Sequence, residues 1–372
     1  MKRCGRLYKE LRVFSFWKKN TAANGVQFAD WPVPLQQLLS QPFSTTLPLA
    51  LLEVADIQLK QQQLSLQLPF VAKWLQSELE QRLLALGLTL SVQISWQNDI
   101  APAFKAVRQV ILVASGKGGV GKSTTAVNLA IALSQQGARV GLLDADIYGP
   151  SVPLMLGEAQ SKATSPDEKH LNPLHKYGIT MQSIGFLIDP ENATVWRGPM
   201  ASQALMQLVN ETLWPELDYL VVDMPPGTGD IQLTLSQKLP VAGAVIVTTP
   251  QDVALADAKK AIQMFRQVNI PLLGLVENMS FYQCPQCGHE DDIFGTAGGL
   301  ELAQRYQVSV LGQLPLEAAI RTAGDAGMPI VLQDNNQTAE IYRKMAQQLI
   351  FTLYWQSRLS PQQAVEIIMT DD

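Results

Sequence analysis

The chain has 372 residues, of which 47% are hydrophobic and 16% are charged, and this composition excludes a largely disordered or fibrous protein. With 28 Lys and Arg against 33 Asp and Glu, the net charge of −5 does not support a basic nucleic-acid-binding body. No stretch reaches the roughly 18 uninterrupted apolar residues that a membrane span needs. We therefore expect two or three domains, no nucleic-acid partner and no stable membrane association.

Residues 1–29 are interpreted as a basic, disordered tail. The apolar stretch in this segment, Val13–Trp17, is shorter than the roughly 7 residues of a secretory signal core. The whole chain has only three cysteines, too few for a disulfide framework. This usage is typical of a reducing compartment, so we predict that the protein is cytoplasmic.

Residues 30–98 are predicted to form a small α/β domain. Leucines alternate with polar residues over Leu64–Leu68, which indicates a half-buried strand. A helix-like stretch runs from Phe70 and ends at Gly87. Strict alternation over Leu88–Trp96 then predicts a second strand.

After a predicted linker at 99–108, the pattern changes to a long α/β alternation over 109–356, before a C-terminal tail at 357–372. Short apolar runs without alternation are typical of strands buried on both faces of a parallel sheet. These runs are Val110–Ala114, Val140–Leu143, Tyr219–Val222, Ala242–Val247 and Leu272–Val276. Helix-like stretches such as Thr124–Gln135 and Thr338–Tyr354 lie between or after them. We predict a doubly wound, mainly parallel sheet with ligands at the carboxyl ends of its strands.

A phosphate-binding loop follows the first of these strands. The run Gly116-Lys117-Gly118-Gly119-Val120-Gly121-Lys122-Ser123 satisfies the P-loop pattern, in which backbone amides surround phosphate oxygens. Lys122 supplies charge to the β- and γ-phosphates, and the Ser123 hydroxyl can ligate Mg²⁺. A glycine-rich structural turn would not need this lysine and serine. Lys117 is not required by the pattern, and the loop alone leaves a solvated side chain as an equal alternative.

Three aspartates lie at the ends of predicted strands. Asp144 and Asp146 follow the strand Val140–Leu143, and Asp223 follows Tyr219–Val222. Carboxylates beside a triphosphate can hold Mg²⁺ through water or orient the attacking water. A helix cap or turn is the alternative for any one of them. Three such residues in one P-loop domain favour the functional interpretation.

The run Cys284-Pro285-Gln286-Cys287-Gly288 is typical of a metal knuckle, a turn whose amides can point at sulfur. It supplies two ligands, whereas zinc or an iron–sulfur cluster usually takes four. His289 is the one nearby candidate, and Cys4 is remote. Two protomers related by a two-fold axis would supply two thiolates each. A dithiol redox pair and a non-ligating pair also remain open, and the knuckle alone favours zinc.

Together these motifs resemble the Mrp/ApbC family of iron–sulfur cluster carrier ATPases, from Val110 to about Trp355. The P-loop and the cysteine pair are joined by four further matching runs: Asp144-Ala145-Asp146-Ile147-Tyr148-Gly149-Pro150-Ser151, Trp196-Arg197-Gly198-Pro199-Met200, Asp223-Met224-Pro225-Pro226-Gly227-Thr228-Gly229-Asp230 and Glu277-Asn278-Met279-Ser280. The small domain at 30–98 is similar in layout to one that often precedes this ATPase, but it lacks that domain's usual cysteine.

The resemblance implies an ATPase that converts ATP and water to ADP and phosphate. Lys117 matches a signature lysine that reaches the phosphates of a partner subunit, and Asp146 matches a carboxylate that positions the attacking water. Asp223 matches the acid near Mg²⁺. The resemblance implies that Lys117, Lys122, Asp146 and Asp223 are catalytic. The nucleotide-binding residues are then Gly116, Lys117, Gly118, Gly119, Val120, Gly121, Lys122, Ser123, Thr124 and Asn278, of which Asn278 would contact adenine.

The resemblance also implies that Cys284 and Cys287 bridge a [4Fe–4S] cluster between the two subunits of a homodimer. Apo iron–sulfur proteins and cluster-assembly scaffold proteins would be its partners. The alternatives are a MinD-type positioning ATPase, a reductase similar to the nitrogenase iron protein, and a zinc-stabilised scaffold that binds ATP without turnover. A MinD-type protein would leave the cysteine pair without a role, and the reductase has widely separated cluster cysteines.

Overall fold

A computed structural model of the chain describes residues 28–98, 100–187 and 198–359. The chain divides into two units, Met1–Asp99 and Ile100–Asp372. Outside the described residues lie Cys4, most of the two predicted tails, and the Trp196-Arg197 part of one matching run. In the described part, the predicted N-terminal tail ends in a 3₁₀ turn, Phe28–Asp30.

The first unit is built on a three-stranded sheet. Its strands are β1 (Asp56–Lys60), β2 (Gln63–Leu68) and β3 (Ser91–Trp96), in the order β1-β2-β3. Its helices are Val33–Ser40, Leu51–Val54 and Trp74–Ala85. β1 and β2 are antiparallel, whereas β2 and β3 are parallel, and the connection between that parallel pair contains the helix Trp74–Ala85.

Two predicted boundaries in this unit are wrong by a few residues. The helix begins at Trp74 rather than Phe70, because Phe70–Ala72 fill the core as an irregular buried segment. β3 begins at Ser91 rather than Leu88, because Ser91 pairs with Gln63, the first residue of β2. β1 was not predicted, since Ile57 is its one buried residue and the alternation is weak.

The second unit is an eight-stranded sheet in the order β13-β10-β9-β4-β8-β5-β7-β6. Its strands are β4 (Val107–Ala114), β5 (Val140–Asp144), β6 (Leu174–Lys176), β7 (Ile179–Ser183), β8 (Leu217–Asp223), β9 (Val241–Thr248), β10 (Leu272–Glu277) and β13 (Val310–Gln313). β6 pairs antiparallel with β7, and every other pairing is parallel. A separate small hairpin has strands β11 (Tyr282–Gln283) and β12 (Glu290–Asp291). The predicted doubly wound, mainly parallel α/β fold is confirmed.

Helices connect the parallel strands and cover the sheet. They are Lys122–Gln135, Val152–Met155, Gly198–Glu211, Asp230–Lys238, Asp252–Gln267, Gly298–Tyr306, Ala318–Asp325 and Gln337–Leu359, with 3₁₀ turns at Ile184–Phe186 and Ile330–Leu332. The last helix continues past the predicted end at Tyr354 and packs on the helix Lys122–Gln135. No helix among the described residues is both long and apolar enough for a bilayer crossing.

The sheet is buried on both faces, as its uninterrupted apolar strands predict. Val110, Leu112 and Ala114 of β4 belong to a core cluster that includes Leu205 and Ala258 from two helices. The intervening residues of β4 are equally buried and point to the opposite face, because side chains alternate along a strand. The parallel strands therefore end at one edge of a rigid sheet, and the predicted phosphate loop and strand-end aspartates lie there.

Candidate functional site

The phosphate loop joins the end of β4 to the helix that begins at Lys122. Gly119 and Gly121 have φ angles of 80° and 85°, in the left-handed region that favours glycine. A Cβ on Gly121 would lie 2.1 Å from Nδ2 of Asn278, and one on Gly116 would lie 2.1 Å from the carbonyl carbon of Asp257. The loop therefore needs glycine at positions where it touches neighbouring segments, as well as where the backbone turns.

Lys122 lies at the centre of the strand-end carboxylates. It is 6% exposed, and its Nζ donates to Oδ1 of Asp223 at 2.6 Å and to Oγ of Ser123 at 3.1 Å. Oδ2 of Asp146 lies 3.7 Å from the same nitrogen. β5 and β8 are paired in register so that Asp144 is level with Asp223. Two carboxylates, those of Asp146 and Asp223, thus lie beside one buried ammonium, and Asp144 occupies the strand end next to Asp223.

Asp144 anchors the loop that carries Asp146. Its Oδ1 accepts from the Asp146 backbone N–H at 3.1 Å, and its Oδ2 accepts from the Val152 N–H at 3.2 Å and the Ser183 hydroxyl at 3.1 Å. Burial, reinforced by the charge of Asp223, raises the pKa of Asp144 to about 8. These contacts give Asp144 a structural role: it accepts from the Asp146 N–H within the turn after β5 and from the first N–H of the helix Val152–Met155. Sequence reasoning missed Ser183, because β7 was not predicted.

Asp146 and Asp223 retain oxygen atoms that are available for chemistry. Burial raises the pKa of both carboxyls, and the nearby Lys122 ammonium opposes that shift. Oδ2 of Asp223 is buried and has no hydrogen-bond partner among the described residues. A buried carboxylate oxygen without a donor is an unfavourable arrangement unless a cation or water satisfies it. The geometry therefore leaves a place for an additional positively charged group beside Asp223.

Lys117 differs from Lys122 in its surroundings. The loop backbone at this residue is fixed, because the Ser115 hydroxyl donates to the Lys117 carbonyl at 2.8 Å. The Lys117 side chain is half-buried, and within the described part of the chain it makes no side-chain hydrogen bond or ion pair. The two lysines of the loop are thus distinct: one is paired inside the site, and the other is not.

Asn278 and Thr124 flank the loop. The Asn278 side-chain amide donates to the Val120 carbonyl at 2.9 Å, and Asn278 is 8% exposed. Thr124 lies in the first turn of the following helix, where its carbonyl accepts from the amide of Asn128 at 2.8 Å. The structure thus brings Asn278 against the loop itself, and its predicted contact with adenine stays a prediction.

The cysteine pair lies on the turn of the small hairpin formed by β11 and β12. The Cys284 N–H donates to the His289 carbonyl at 2.9 Å, and the Gly288 N–H donates to the Cys284 carbonyl at 2.8 Å. Hydrogen bonds from the backbone N–H groups of Gln286 and Cys287 lower the pKa of the Cys284 thiol. Cys284 is half-buried and Cys287 is exposed. Over residues 28–98, 100–187 and 198–359, no third His, Cys, Asp or Glu completes a metal site with them.

The loop, its buried lysine and the strand-end aspartates define the class of protein: a P-loop NTPase on a doubly wound sheet. The ParA family model, described as NUBPL iron-transfer P-loop NTPase, matches residues 106–350. The iron–sulfur cluster carrier protein of Haemophilus influenzae is 58% identical over 261 residues, which cover 70% of this chain and 70% of that protein. The chain belongs to this family of iron–sulfur cluster carrier P-loop NTPases, which confirms the resemblance seen in the sequence.

Two further comparisons agree with this assignment. The iron–sulfur cluster carrier protein of Escherichia coli is 52% identical over 307 residues, covering 79% of this chain and 83% of that protein. A nucleotide-binding protein of Archaeoglobus fulgidus, solved in complex with ADP, is 38% identical and has a TM-score of 0.53. That match covers 60% of this chain and 87% of that chain.

Proposed function

We propose that this protein is an ATP-hydrolysing homodimer that carries a [4Fe–4S] cluster between the Cys284 and Cys287 pairs of its two subunits. The cluster would be received from a scaffold protein and passed to apo-proteins. The single observation that supports this most is a knuckle with two thiols and no third ligand in the described chain. A four-iron cluster held by four thiolates then requires two copies of the chain.

The nucleotide site supports hydrolysis as well as binding. The loop amides and Lys122 would hold the phosphates, and Asp146, which borders Lys122, would orient the attacking water. The burial that raises the pKa of Asp146 makes its carboxylate a better proton acceptor. Lys117, with no ion pair in the described residues, would act on the phosphates of the partner subunit.

The donor set suits a magnesium ion. Mg²⁺ prefers oxygen ligands, and the site offers the Ser123 hydroxyl and the unpartnered Oδ2 of Asp223. Two ionised carboxylates, those of Asp146 and Asp223, lie 3.7 Å and 2.6 Å from the single Lys122 ammonium, and a divalent cation would balance the excess of negative charge that they leave. Bound there, Mg²⁺ would neutralise charge on the transferring phosphate.

Anaerobic reconstitution with iron and sulfide tests the carrier proposal. The wild-type protein is expected to bind about two irons per chain, four per dimer, with the visible absorbance of an iron–sulfur cluster. Cys284→Ala and Cys287→Ala should each abolish the bound iron and reduce the dimer fraction. ATP binding should survive both changes, because the phosphate loop follows β4 and not the cysteine hairpin.

Cys4→Ala is the matched control, since it removes the third cysteine of the chain and is expected to leave iron content unchanged. Stoichiometric zinc without a cluster after reconstitution would refute the carrier proposal in favour of a zinc-stabilised scaffold. Cluster binding that is insensitive to Cys284 and Cys287 would refute the site while leaving the nucleotide chemistry in place.

A further inference from the structure

The cysteine hairpin is part of an excursion of the chain, residues 281–297, between the end of β10 and the helix Gly298–Tyr306. Both ends of this cysteine excursion meet one buried carboxylate. The Ser280 hydroxyl, directly before the excursion, donates to Oε1 of Glu277. The Gly299 backbone N–H, just after it, donates to Oε2 of Glu277 at 2.5 Å. Entry and exit of the excursion are thus held by the two oxygens of a single side chain.

The surroundings of Glu277 are closely fitted. The side-chain amide of Gln313 donates to Oε1 of Glu277 at 2.9 Å and to the Ser280 hydroxyl at 3.0 Å. Glu277 is 1% exposed, and a Cβ on Gly299 would lie 2.2 Å from its Oε2. Buried polar networks in which every member is satisfied fix one arrangement strongly, because each broken bond leaves an unsatisfied group. Together with backbone hydrogen bonds at Ser280 and Phe281, this carboxylate fixes where the excursion leaves the fold, and it also holds the point where the excursion rejoins it.

The next residue in the chain contacts the phosphate loop. Asn278 donates from its side chain to the Val120 carbonyl at 2.9 Å and from its backbone N–H to the Thr248 carbonyl at 2.8 Å. Its amide nitrogen also lies against Gly121, the residue directly before Lys122. Two adjacent residues therefore connect the two functional regions: Asn278 contacts the loop, and Glu277 holds the excursion with the cysteines.

We propose that Glu277 is a positioning residue that couples the phosphate loop to the geometry of the Cys284–Cys287 turn. A shift of the loop when nucleotide binds moves the backbone at Asn278, and the bonds from Glu277 to Ser280 and Gly299 pass that shift to both ends of the excursion. The site that nucleotide would regulate is the Cys284–Cys287 turn. The inference rests on the proposed function only in naming an iron–sulfur cluster as the cargo of that turn. The coupling itself is a property of the protein without cargo.

Thiol reactivity in the full-length protein without a cluster measures this coupling. Alkylation of Cys284 and Cys287 by iodoacetamide is followed by mass spectrometry with and without a non-hydrolysable ATP analogue and Mg²⁺. In the wild type, nucleotide is expected to change the alkylation rate by about five-fold or more, the lower end of coupling between distinct sites. Glu277→Gln should bring that ratio close to one, because an amide cannot accept from donors on both sides. Glu277→Gln should still bind the nucleotide, because the phosphate loop and Lys122 are unchanged.

Glu301→Gln is the matched control: Glu301 is exposed on the helix Gly298–Tyr306, so the ratio should remain that of the wild type. Ser280→Ala removes one donor to Glu277, so its ratio of alkylation rates should lie between one and the wild-type ratio. This variant provides the test if Glu277→Gln fails to fold. A wild-type ratio of one would overturn the proposal, as would a full ratio in Glu277→Gln or, where that variant does not fold, in Ser280→Ala. Because no cluster is present, failure here is distinct from failure of reconstitution.

Discussion

The nucleotide site and the cysteine hairpin are built in contrasting ways. Lys122, Asp144 and Asp223 are almost entirely buried, and they come from elements that the central sheet holds in register. The hairpin instead rests on two strands of two residues each, and Cys287 at its turn is exposed. A buried site is fixed by the core and is sensitive to any change, whereas an exposed turn can present its ligands to another molecule. On the proposed function, most of the phosphate site would come from one chain, and the exposed cysteine turn would be open to a partner.

The largest effect that tests this contrast is expected at Lys122. Lys122→Ala removes the ammonium that pairs with Asp223 at 2.6 Å and that the phosphates need, so ATP hydrolysis should become undetectable. Removing one partner of a buried ion pair also leaves the other charge uncompensated, at roughly 3–5 kcal/mol. Thermal unfolding and phosphate release measured on one preparation would separate the two consequences.

The control for Lys122 is Lys169→Ala, an exposed lysine of the same unit, which should change neither measurement. Hydrolysis that persists in Lys122→Ala would show that the buried ammonium is not part of the reaction. The nucleotide site would then lose the feature that most clearly distinguishes it from the hairpin.

The next largest effect is expected at Lys117, and it tests whether the nucleotide site is complete in one chain. Lys117→Ala should keep ATP binding, because this side chain makes no ion pair in the described chain, while hydrolysis falls by about 10³-fold, the scale of a charge supplied by a partner. Mixing this variant with Lys122→Ala should restore part of the activity. In a mixed dimer, the Lys117→Ala subunit keeps Lys122 in its loop and would receive Lys117 from the Lys122→Ala subunit.

Recovery on mixing is the decisive outcome for Lys117, since each variant alone should be inactive or nearly so. An unchanged rate in Lys117→Ala would make it a solvated side chain. A loss that mixing does not rescue would mean that the lysine acts within its own subunit.

A smaller effect is expected at Asp146, where both the rate and its pH dependence carry information. Asp146→Asn should retain nucleotide binding and lower turnover by about 10²-fold. Burial raises the pKa of Asp146. As the pH falls, its carboxylate is therefore protonated at a higher pH than that of an ordinary Asp, whose pKa is about 3.9. The midpoint of the low-pH loss of hydrolysis rate in the wild type should therefore lie above the pKa of an ordinary Asp. The rate of Asp146→Asn should not show this loss. Weakened binding with an unchanged profile would indicate a role in folding or magnesium binding instead.

The phosphate site could be predicted from the sequence because its chemistry is local. Gly116 to Ser123 form one continuous run, Asp144 and Asp223 directly follow apolar stretches that are typical of buried strands, and Asp146 comes two residues after Asp144. The carboxyl ends of parallel strands share one edge, so the sequence also indicated that these side chains would meet. The doubly wound sheet followed from the same apolar runs.

Features that depend on contacts between distant segments could not be predicted in this way. Glu277 is held by donors from Ser280, Gly299 and Gln313, and no spacing rule relates these three positions. β6 and β7 were also missed, although Tyr177 and Gly178, with φ angles of 49° and 77°, form the turn between them. β6 has only three residues, and β7, although as long as β5 and fully buried, contains the polar residues Thr180, Gln182 and Ser183 and so forms no apolar run. The features that could not be predicted are thus those that depend on tertiary contacts rather than on a local sequence pattern.

The smallest expected effect is at Gly288, and it separates the hairpin from the nucleotide site most sharply. Gly288 has a φ of 73°, its N–H donates to the Cys284 carbonyl at 2.8 Å, and a Cβ there would meet open space. Gly288→Ala therefore adds only the strain of a left-handed alanine, about 1 kcal/mol, without a clash. Since about 1.4 kcal/mol is a factor of ten in affinity, iron binding after reconstitution should weaken by roughly five-fold.

Hydrolysis of ATP by the cluster-free Gly288→Ala protein should be unchanged, because the turn lies outside the phosphate loop and its strand-end carboxylates. Gln286→Ala is the matched control, since residue 286 serves the Cys284 sulfur through its backbone N–H and alanine keeps that group. Its iron affinity should equal that of the wild type. Equal losses in both variants would show that side chains of the turn, rather than its backbone geometry, set the affinity for iron. An equal loss of hydrolysis in Gly288→Ala would mean that a change confined to the turn disturbs the nucleotide site, and the contrast between a core-fixed site and an exposed turn would fail.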